Sequence, residues 1–272
     1  MKIKLYGILL LLCVIACQSK VEKDGETAPS DSLQTDSMSV SSEEVNFATV
    51  FLGEKYQYEI LPVDKNIFLN TKDFPITEAD RIKEMNCEDP AEDCEKKIEK
   101  ATIEPFAKLV TRQGDSLILK CGTNDSRSVS FVSESSDEGD FSTYSFVHKY
   151  TNPDVYLVAG TYWESFDYKI VNRKTCKVMN VIGIPVFSPD RKKAIVTNED
   201  LVAGFTFNGL EVLTFQDTAI VKDASQKLNN WAIEKASWIS NQEVKVTQVT
   251  ANYSSEEKDK ELVKRYAIFK IK

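Results

Sequence analysis

The stretch VFSPDRKKAI, residues 186–195, decides the fold of this chain. A short apolar run ending at Phe187 leads into the triplet Ser188-Pro189-Asp190, whose residue types favour tight turns. A second apolar run follows the lysines and ends at Ile195. Two short strands joined by a polar turn are the signature of an antiparallel hairpin. The stretch therefore predicts a β-hairpin in the second half of the chain.

Two other stretches align with this hairpin and indicate a repeat. Each has a strand with an aromatic residue, a polar turn and a second alternating strand; they are residues 144–158 and 235–246. Further hairpin-forming sequence precedes each of the three, at residues 116–120, 167–178 and 209–221. The period is about 45 residues, which lies in the range of propeller blades. An alternating run at residues 262–271 predicts a closing strand.

The quoted stretch resembles the F-S-P-D-G-K hairpin of TolB-like and WD-repeat β-propellers, where Ser-Pro-Asp forms the turn between two inner strands. Residues 172–177, NRKTCK, resemble a second hairpin of that family, D-x-x-T-G-K. Arg191 and Cys176 stand where the family prefers glycine. Residues 112–249 are also similar to uncharacterised secreted bacterial proteins with blade-like repeats. The resemblance implies a mainly β fold of propeller-like antiparallel blades, as a small closed propeller or an open stack.

The N-terminal segment resembles that of a bacterial lipoprotein. Lys2 and Lys4 precede an apolar run, residues 5–14, that is too short to span a bilayer, which needs about 20 apolar residues. The run closes on Val-Ile-Ala-Cys, which is similar to a lipobox ending at Cys17. The resemblance implies a signal peptide, residues 1–16, and lipidation of Cys17 by diacylglycerol and usually a third acyl chain such as palmitate. Gln18, which is not an aspartate, favours the outer membrane.

The rest of the chain divides into a tether and one domain. Residues 17–46 are rich in Ser, Thr, Asp and Glu, so they predict a disordered spacer. The domain spans residues 47–272 and starts with strands at residues 47–51, 56–61 and 66–69. A two-helix insertion is predicted for residues 76–112. Its helices start near Thr77 and Asp89, which are residue types that cap helices, and Pro105 ends the second.

Four cysteines would remain in the mature chain besides Cys17, and an oxidising envelope favours disulfides. These candidate disulfide residues are Cys87, Cys94, Cys121 and Cys176. Four cysteines allow three pairings. Proximity in sequence favours Cys87 with Cys94, which leaves Cys121 with Cys176; free buried thiols are the alternative. A zinc site is disfavoured because there is no Cys-x-x-Cys and only one histidine, His148.

Charge and motifs exclude several functions. The net charge is −8, and loss of Lys2 and Lys4 with the signal peptide takes it to −10, which disfavours nucleic acid as a partner. No Gly-rich phosphate loop or serine elbow is present, so no catalytic residue, metal ligand or cofactor is predicted. The acids of residues 134–140 suggest either a Ca²⁺ site or, as the favoured interpretation, a solvated loop.

Tyr162 and Trp163 are the candidate binding aromatics. They cluster with Phe166 and would suit a platform for carbohydrate or peptide. The alternative is that they fill the space between neighbouring sheets. Trp238 aligns with Phe187 in the repeat, so both are predicted to be core residues.

The favoured function is a non-enzymatic binding or assembly module, anchored in the bacterial cell envelope on its periplasmic face or at the cell surface. Its partner is a protein or glycan that the sequence does not identify. The alternative is a hydrolase or lyase acting on polysaccharides through paired carboxylates, which predicts converging acids with at least one raised pKa. A structural stalk, which predicts no pocket, is the third hypothesis.

Overall fold

Strands form most of the structure, a computed structural model that describes residues 49–53, 56–76, 82, 94–135, 141–251 and 262–272. These residues belong to one compact unit, residues 44–272. In chain order the strands are β1 (Thr49–Leu52), β2 (Gln57–Pro62), β3 (Val110–Gln113), β4 (Ser116–Cys121), β5 (Arg127–Val132), β6 (Glu134–Ser135), β7 (Phe141–Tyr150), β8 (Val155–Tyr162), β9 (Ser165–Asn172), β10 (Val178–Val181), β11 (Pro185–Phe187), β12 (Lys193–Asn198), β13 (Gly209–Phe215), β14 (Ile220–Lys227), β15 (Ala232–Trp238), β16 (Glu243–Ala251) and β17 (Leu262–Ile271).

The strands form four antiparallel sheets, and from β3 onward these sheets follow one another along the chain. The first sheet is β3-β4-β5, the second β10-β9-β8-β7-β6, the third β11-β12-β13-β14 and the fourth β1-β2-β17-β16-β15. The fourth sheet joins the two ends of the domain, because β17 pairs with both β16 and β2. The fold is therefore mainly β, as the sequence predicts.

All three aligned hairpins are confirmed, as β7–β8, β11–β12 and β15–β16. Their first strands begin at Phe141, Pro185 and Ala232, which are 44 and 47 residues apart. The way in which the hairpins are grouped into sheets differs from the repeat predicted from sequence in one respect. Each hairpin shares a sheet with the strands that follow it, such as β9 and β10 after β7–β8, and not with the hairpin before it.

The Ser-Pro-Asp turn is closed by its own side chains. The Ser188 hydroxyl donates to Asp190 Oδ1 at 2.7 Å, and the backbone N–H of Lys192 donates to the same oxygen at 3.1 Å. Arg191 has φ 63° and Cys176 has φ 61°. Both residues occupy positions where the resembling family has glycine, so each hairpin keeps a left-handed residue without the glycine that usually supplies it.

The turns of the three aligned hairpins bond to one another. Arg191 Nε donates to the carbonyl of Asn152 at 2.6 Å, and the backbone N–H of Asp190 donates to Asn241 Oδ1 at 2.9 Å. The Arg191 guanidinium also lies 4.6 Å from the centre of the Phe187 ring. These contacts tie the second, third and fourth sheets together at one end.

Consecutive sheets share their hydrophobic cores. One cluster joins the first and second sheets, a second joins the second and third, and a third joins the third and fourth. Phe187 and Trp238, both predicted as core, are buried in these clusters. In the part of the chain that the structure describes, no such cluster joins the fourth sheet to the first.

Two helices accompany the sheets, α1 (Lys65–Asn70) and α2 (Cys94–Ile103). The predicted strand at residues 66–69 is wrong, because Asp64 accepts a hydrogen bond from the Asn66 N–H at 2.7 Å and starts a helix there. The second predicted helix is present as α2 and gives way to a 3-10 turn containing Pro105. Residues 110–112, assigned to the helical insertion from sequence, instead begin β3.

A disulfide and an ion-pair cluster link the first two sheets. Cys121 at the end of β4 is bonded to Cys176 in the β9–β10 turn, with their Cα atoms 5.5 Å apart. Arg173, in that same turn, pairs with Asp125 and with Asp154.

Several sequence predictions lie outside the described residues. They concern the signal peptide, Cys17, the tether, the helix starting near Thr77, and most of the acidic stretch 134–140. Cys87 is among these residues too, and the side chain of Cys94 is not described, so their pairing stays a prediction. No helix in the described ranges is long and apolar enough to cross a membrane.

Tyr58 connects the third and fourth sheets through a buried hydrogen bond. Its hydroxyl donates to Asp223 on β14, and the two residues are 0% and 4% exposed. Burial, followed by the neighbouring Asp223, raises the pKa of Tyr58, so the phenol stays protonated as a donor. Replacing Tyr58 with Phe leaves a buried carboxylate without this bond. The expected cost is about 2 kcal/mol in the free energy of unfolding, measured by urea denaturation.

Tyr168→Phe is the matched control. Tyr168 is partly buried, and its hydroxyl has no hydrogen-bond partner among the described residues, so the change should stay within about 0.5 kcal/mol. Equal urea midpoints for the two variants would show that the Tyr58 hydroxyl contributes nothing to stability.

Candidate functional site

The candidate site is a cavity between the second and third sheets, which we call the loop cavity. It has a volume of about 600 Å³ and is lined by the β8–β9 hairpin and by the connection from β12 to β13, residues 199–208. Hairpin turns alternate between the two ends of an antiparallel sheet. The β8–β9 turn therefore lies at the end opposite the bonded turns of Asn152 and Asp190. Ligand sites in proteins commonly have volumes in this range.

A polar network forms the wall of the loop cavity on the second sheet. Lys169 Nζ contacts both carboxylate oxygens of Asp167, at 2.7 and 2.8 Å, and donates to the Tyr162 hydroxyl at 2.8 Å. Tyr162 in turn donates to Asp167 Oδ1 at 3.0 Å. The ammonium group lies 5.5 Å from the ring centres of Tyr144 and Tyr162. Burial, with the hydrogen bonds to Tyr144 and Asp167, raises the pKa of Tyr162.

These contacts satisfy Lys169, the only cation of that wall among the described residues. Lys169 is 7% exposed, and Asp167 compensates its charge directly. Two aromatic rings add cation–π contacts on its remaining sides. The network therefore holds Tyr162 in place and leaves no positive charge free to meet a ligand.

The opposite wall is a loop organised by Asp200. Its carboxylate accepts hydrogen bonds from the Gly204 N–H at 2.7 Å and from the Thr206 hydroxyl at 2.8 Å. Asn198 donates to the same Thr206 hydroxyl at 2.8 Å. Burial acts to raise the pKa of Asp200, but these hydrogen bonds outweigh it and lower the pKa. Asp200 thus serves the structure of the loop.

Exposed apolar side chains of the two loops that line the loop cavity define what we call its mouth. Phe166 and Phe205 line the cavity itself, and Trp163 and Val202 adjoin lining residues in the chain. Trp163, at the tip of the β8–β9 turn, is 71% exposed, and Phe166 beside it is 44% exposed. The loop organised by Asp200 exposes Val202 and Phe205 in the same way, at 66% and 57%. Large apolar groups held in water on an ordered scaffold are typical of interaction sites.

Two acids that line the loop cavity, Glu164 and Glu199, have no hydrogen-bond or ion-pair partner among the described residues. Glu164, which has φ 58°, follows Trp163 in the turn, and Glu199 begins the opposite loop. Neither carboxylate makes a hydrogen bond or ion pair with a described residue. Burial, then the charge of Glu234, raises the pKa of Glu199 against the opposing effect of Lys264. Lys264 is itself bonded to Glu234 at 2.5 Å, so their opposite charges largely cancel near Glu199 and burial remains the main cause of its raised pKa.

A smaller cavity of about 160 Å³ adjoins the loop cavity and shares Phe166, Asp167 and Thr206 with it. Its floor carries Glu211, which is 2% exposed and accepts hydrogen bonds from Lys222 Nζ at 2.5 Å and from the Ile182 N–H at 3.2 Å. The groove between the two sheets thus continues past the loop cavity, and its buried carboxylate is already compensated.

A second large cavity, of about 580 Å³, lies on the side of the aligned turns. Tyr150, Pro185 and Trp238 are among its lining residues, and Arg191 is the only charged one among the described residues. Its walls are predominantly apolar, so it offers few groups for specific recognition or chemistry.

The structure separates the two predicted binding aromatics. Tyr162 is partly buried and held in the wall network, while Trp163, next to it in the chain, is 71% exposed. His148 lies between the rings of Phe106 and Tyr150, with centroid distances of 6.3 and 4.7 Å. Glu199 and Phe205 also line the loop cavity and are not among the residues predicted from sequence. The apolar stretch LVAGF, residues 201–205, directly after two acids in a connection between strands, is the signal that indicates them.

The arrangement suits binding by stacking, apolar contact and negative charge. No group of three or more potential metal ligands occurs within the described ranges. Comparison of the chain with known proteins finds no matching family model, no matching curated protein and no matching solved structure.

Proposed function

We propose that this chain is a lipid-anchored protein of the bacterial cell envelope that acts as a non-enzymatic binding or assembly module. The lipobox-like ending at Cys17 and the short apolar segment before it support the anchor. Acyl chains contribute about 0.8 kcal/mol per buried CH₂, so two or more of them hold a protein firmly on a membrane. The polar tether, residues 17–46, places the binding domain away from the bilayer.

In this proposal the four sheets are blade-like repeats. Three facts support that interpretation: the sheets follow the chain order, consecutive sheets share cores, and the fourth sheet pairs the two ends of the domain. Such a stack presents loops at one end, where partner recognition is favoured.

The observation that carries the proposal is the loop cavity with its exposed apolar mouth. Trp163 and Phe205 are 71% and 57% exposed, and hydrogen bonds from Gly204 and Thr206 to Asp200 hold the loop around Phe205 in order. Exposing such groups opposes folding in water, so a binding partner that covers them provides the physical reason for them. A cavity of this size also disfavours a purely structural stalk.

Trp163 supplies the readout for a direct test. Of the three tryptophans, Trp231 and Trp238 are buried, so acrylamide quenching of fluorescence reports mainly on Trp163. The full chain, purified from its membrane and checked by intact mass for residues 17–272 plus acyl chains, is mixed with four probes. These are chitotetraose, cellotetraose, acetyl-Gly-Arg-Leu-Arg-Gly-amide and acetyl-Gly-Glu-Leu-Glu-Gly-amide.

We expect at least one probe to protect Trp163 from quenching and to be recovered intact by mass spectrometry. Trp163→Ala should weaken binding of that probe about tenfold, measured by calorimetry, because exposed aromatic anchors dominate interfaces. Val178→Ala is the control, since Val178 is an exposed apolar residue on β10 that does not line the loop cavity. If no probe binds, or if Trp163→Ala leaves the affinity unchanged, the loop cavity is not the binding site.

The second candidate function is a hydrolase or lyase acting on polysaccharides. One observation favours it: several acids line the loop cavity, and the pKa of Glu199 is raised. Glu199 would be the proton donor and Glu164 the second carboxylate, because Asp167 and Asp200 are already hydrogen-bonded. Cleavage of chitotetraose or cellotetraose that disappears in Glu199→Gln would establish this function and overturn the non-enzymatic one.

A further inference from the structure

All the charged side chains that line the loop cavity among the described residues are acidic. They are Glu164, Asp167, Glu199 and Asp200, and no basic residue is among its described lining. Lys169 behind the wall compensates Asp167 alone. The two partnerless carboxylates, Glu164 and Glu199, belong to different loops and both border the same space.

From this charge pattern and the apolar mouth we propose that the loop cavity binds a basic peptide segment, with an arginine or lysine side chain inside and apolar neighbours against Trp163 and Phe205. The proposal rests on the binding function argued above. A cation in the loop cavity gains charge attraction from Glu164 and Glu199, which both line it and have no ion-pair partner among the described residues. The aromatic rings at the mouth favour the same occupant, because guanidinium and ammonium groups bind to ring faces.

Two other occupants fit the charge less well. The segment 18–46 of this chain contains two lysines and seven acids, so the loop cavity repels it. A second copy of the protein is also disfavoured, because the chain as a whole carries a charge of −8. A neutral glycan gains nothing from the two partnerless carboxylates beyond hydrogen bonds.

The test compares two peptides that differ only in charge. The full chain is titrated by calorimetry with acetyl-Gly-Arg-Leu-Arg-Gly-amide and with the same peptide carrying citrulline in place of both arginines. We expect the arginine peptide to bind at least about tenfold more tightly and to lose affinity as NaCl is raised, because salt screens charge pairs.

Variants of Glu164 and Glu199 test whether these two acids cause the tighter binding of the arginine peptide. Glu164→Gln and Glu199→Gln preserve shape and should each weaken the arginine peptide about five- to tenfold, with little effect on the citrulline peptide. Asp217→Asn is the control, since Asp217 lies in the β13–β14 turn and pairs with Lys174 away from the loop cavity. Thermal unfolding confirms that each variant is folded.

The outcomes separate this inference from the proposed function. If the citrulline peptide or chitotetraose binds as tightly as the arginine peptide, the inference that the ligand is a basic peptide is wrong. The proposal that the loop cavity is a binding site is then still supported. If Asp217→Asn weakens the arginine peptide as much as Glu199→Gln does, the attraction is a general surface effect and the inference is overturned. If no probe binds at all, both the inference and the proposed function fail.

Discussion

Replacing Cys121 and Cys176 together with alanine is expected to lower the free energy of unfolding by about 4 kcal/mol. The two residues are 55 positions apart, so their disulfide closes a long loop and restricts the unfolded chain. The bond also attaches the first sheet to the second. Urea denaturation with and without dithiothreitol measures the loss.

Reduction of the unmodified protein should reproduce most of this loss. Other contacts between the first two sheets remain in the variant, including the hydrogen bond from the Gly122 N–H to the Arg173 carbonyl at 2.6 Å. The folded structure should therefore persist at lower stability. If the stability of the double variant still depends on dithiothreitol, the remaining effect is assigned to a disulfide between Cys87 and Cys94. An unchanged urea midpoint would contradict the disulfide between Cys121 and Cys176.

Trp238→Ala is expected to cost about 4 kcal/mol, within the range measured for large aromatic residues in cores. Trp238 is 2% exposed and belongs to β15 of the fourth sheet. Its indole N–H donates to the carbonyl of Val186 on β11 at 2.7 Å, so one side chain both fills the core and bonds to the third sheet. Alanine leaves a cavity and an acceptor without its donor. Urea denaturation followed by far-UV circular dichroism measures the loss.

Two further variants separate the contributions of the lost ring volume and the lost hydrogen bond to the destabilisation by Trp238→Ala. Trp238→Phe keeps most of the ring volume but loses the N–H, so it should cost about 1–2 kcal/mol. Trp163→Ala, at the exposed tryptophan, should change the stability by less than about 0.5 kcal/mol. If Trp238→Ala were no more destabilising than Trp163→Ala, the contact between the third and fourth sheets would not depend on Trp238.

The hairpins could be predicted because their information is local. In residues 186–195 the turn residues and the alternation of apolar side chains lie next to each other, and the structure forms them within one β-hairpin. The same reasoning failed at residues 66–69. Their apolar pattern suits a strand, but Asp64 caps a helix there and Phe68 packs on Tyr266 of β17, with ring centres 4.7 Å apart. That partner lies almost 200 residues away, beyond the reach of any local pattern.

The candidate site was only half visible in the sequence. Tyr162 and Trp163 stand out as an aromatic pair, yet their neighbours in the chain do not show that one is enclosed by Lys169 and the other exposed. Glu199 and Phe205 come from a connection that follows the next sheet, and only the packing of the second and third sheets brings them to the β8–β9 turn.

The sequence by itself determined the mainly β character, three hairpins spaced about 45 residues apart, the core positions of Phe187 and Trp238, and the acidic charge, because each depends on residue type and short spacing. The tertiary structure alone decided how hairpins group into sheets and which acids share a cavity. It also decided that β2 and β17 pair across the whole domain. These features depend on contacts between distant segments, and such contacts are fixed when hydrophobic faces of neighbouring sheets are buried against each other.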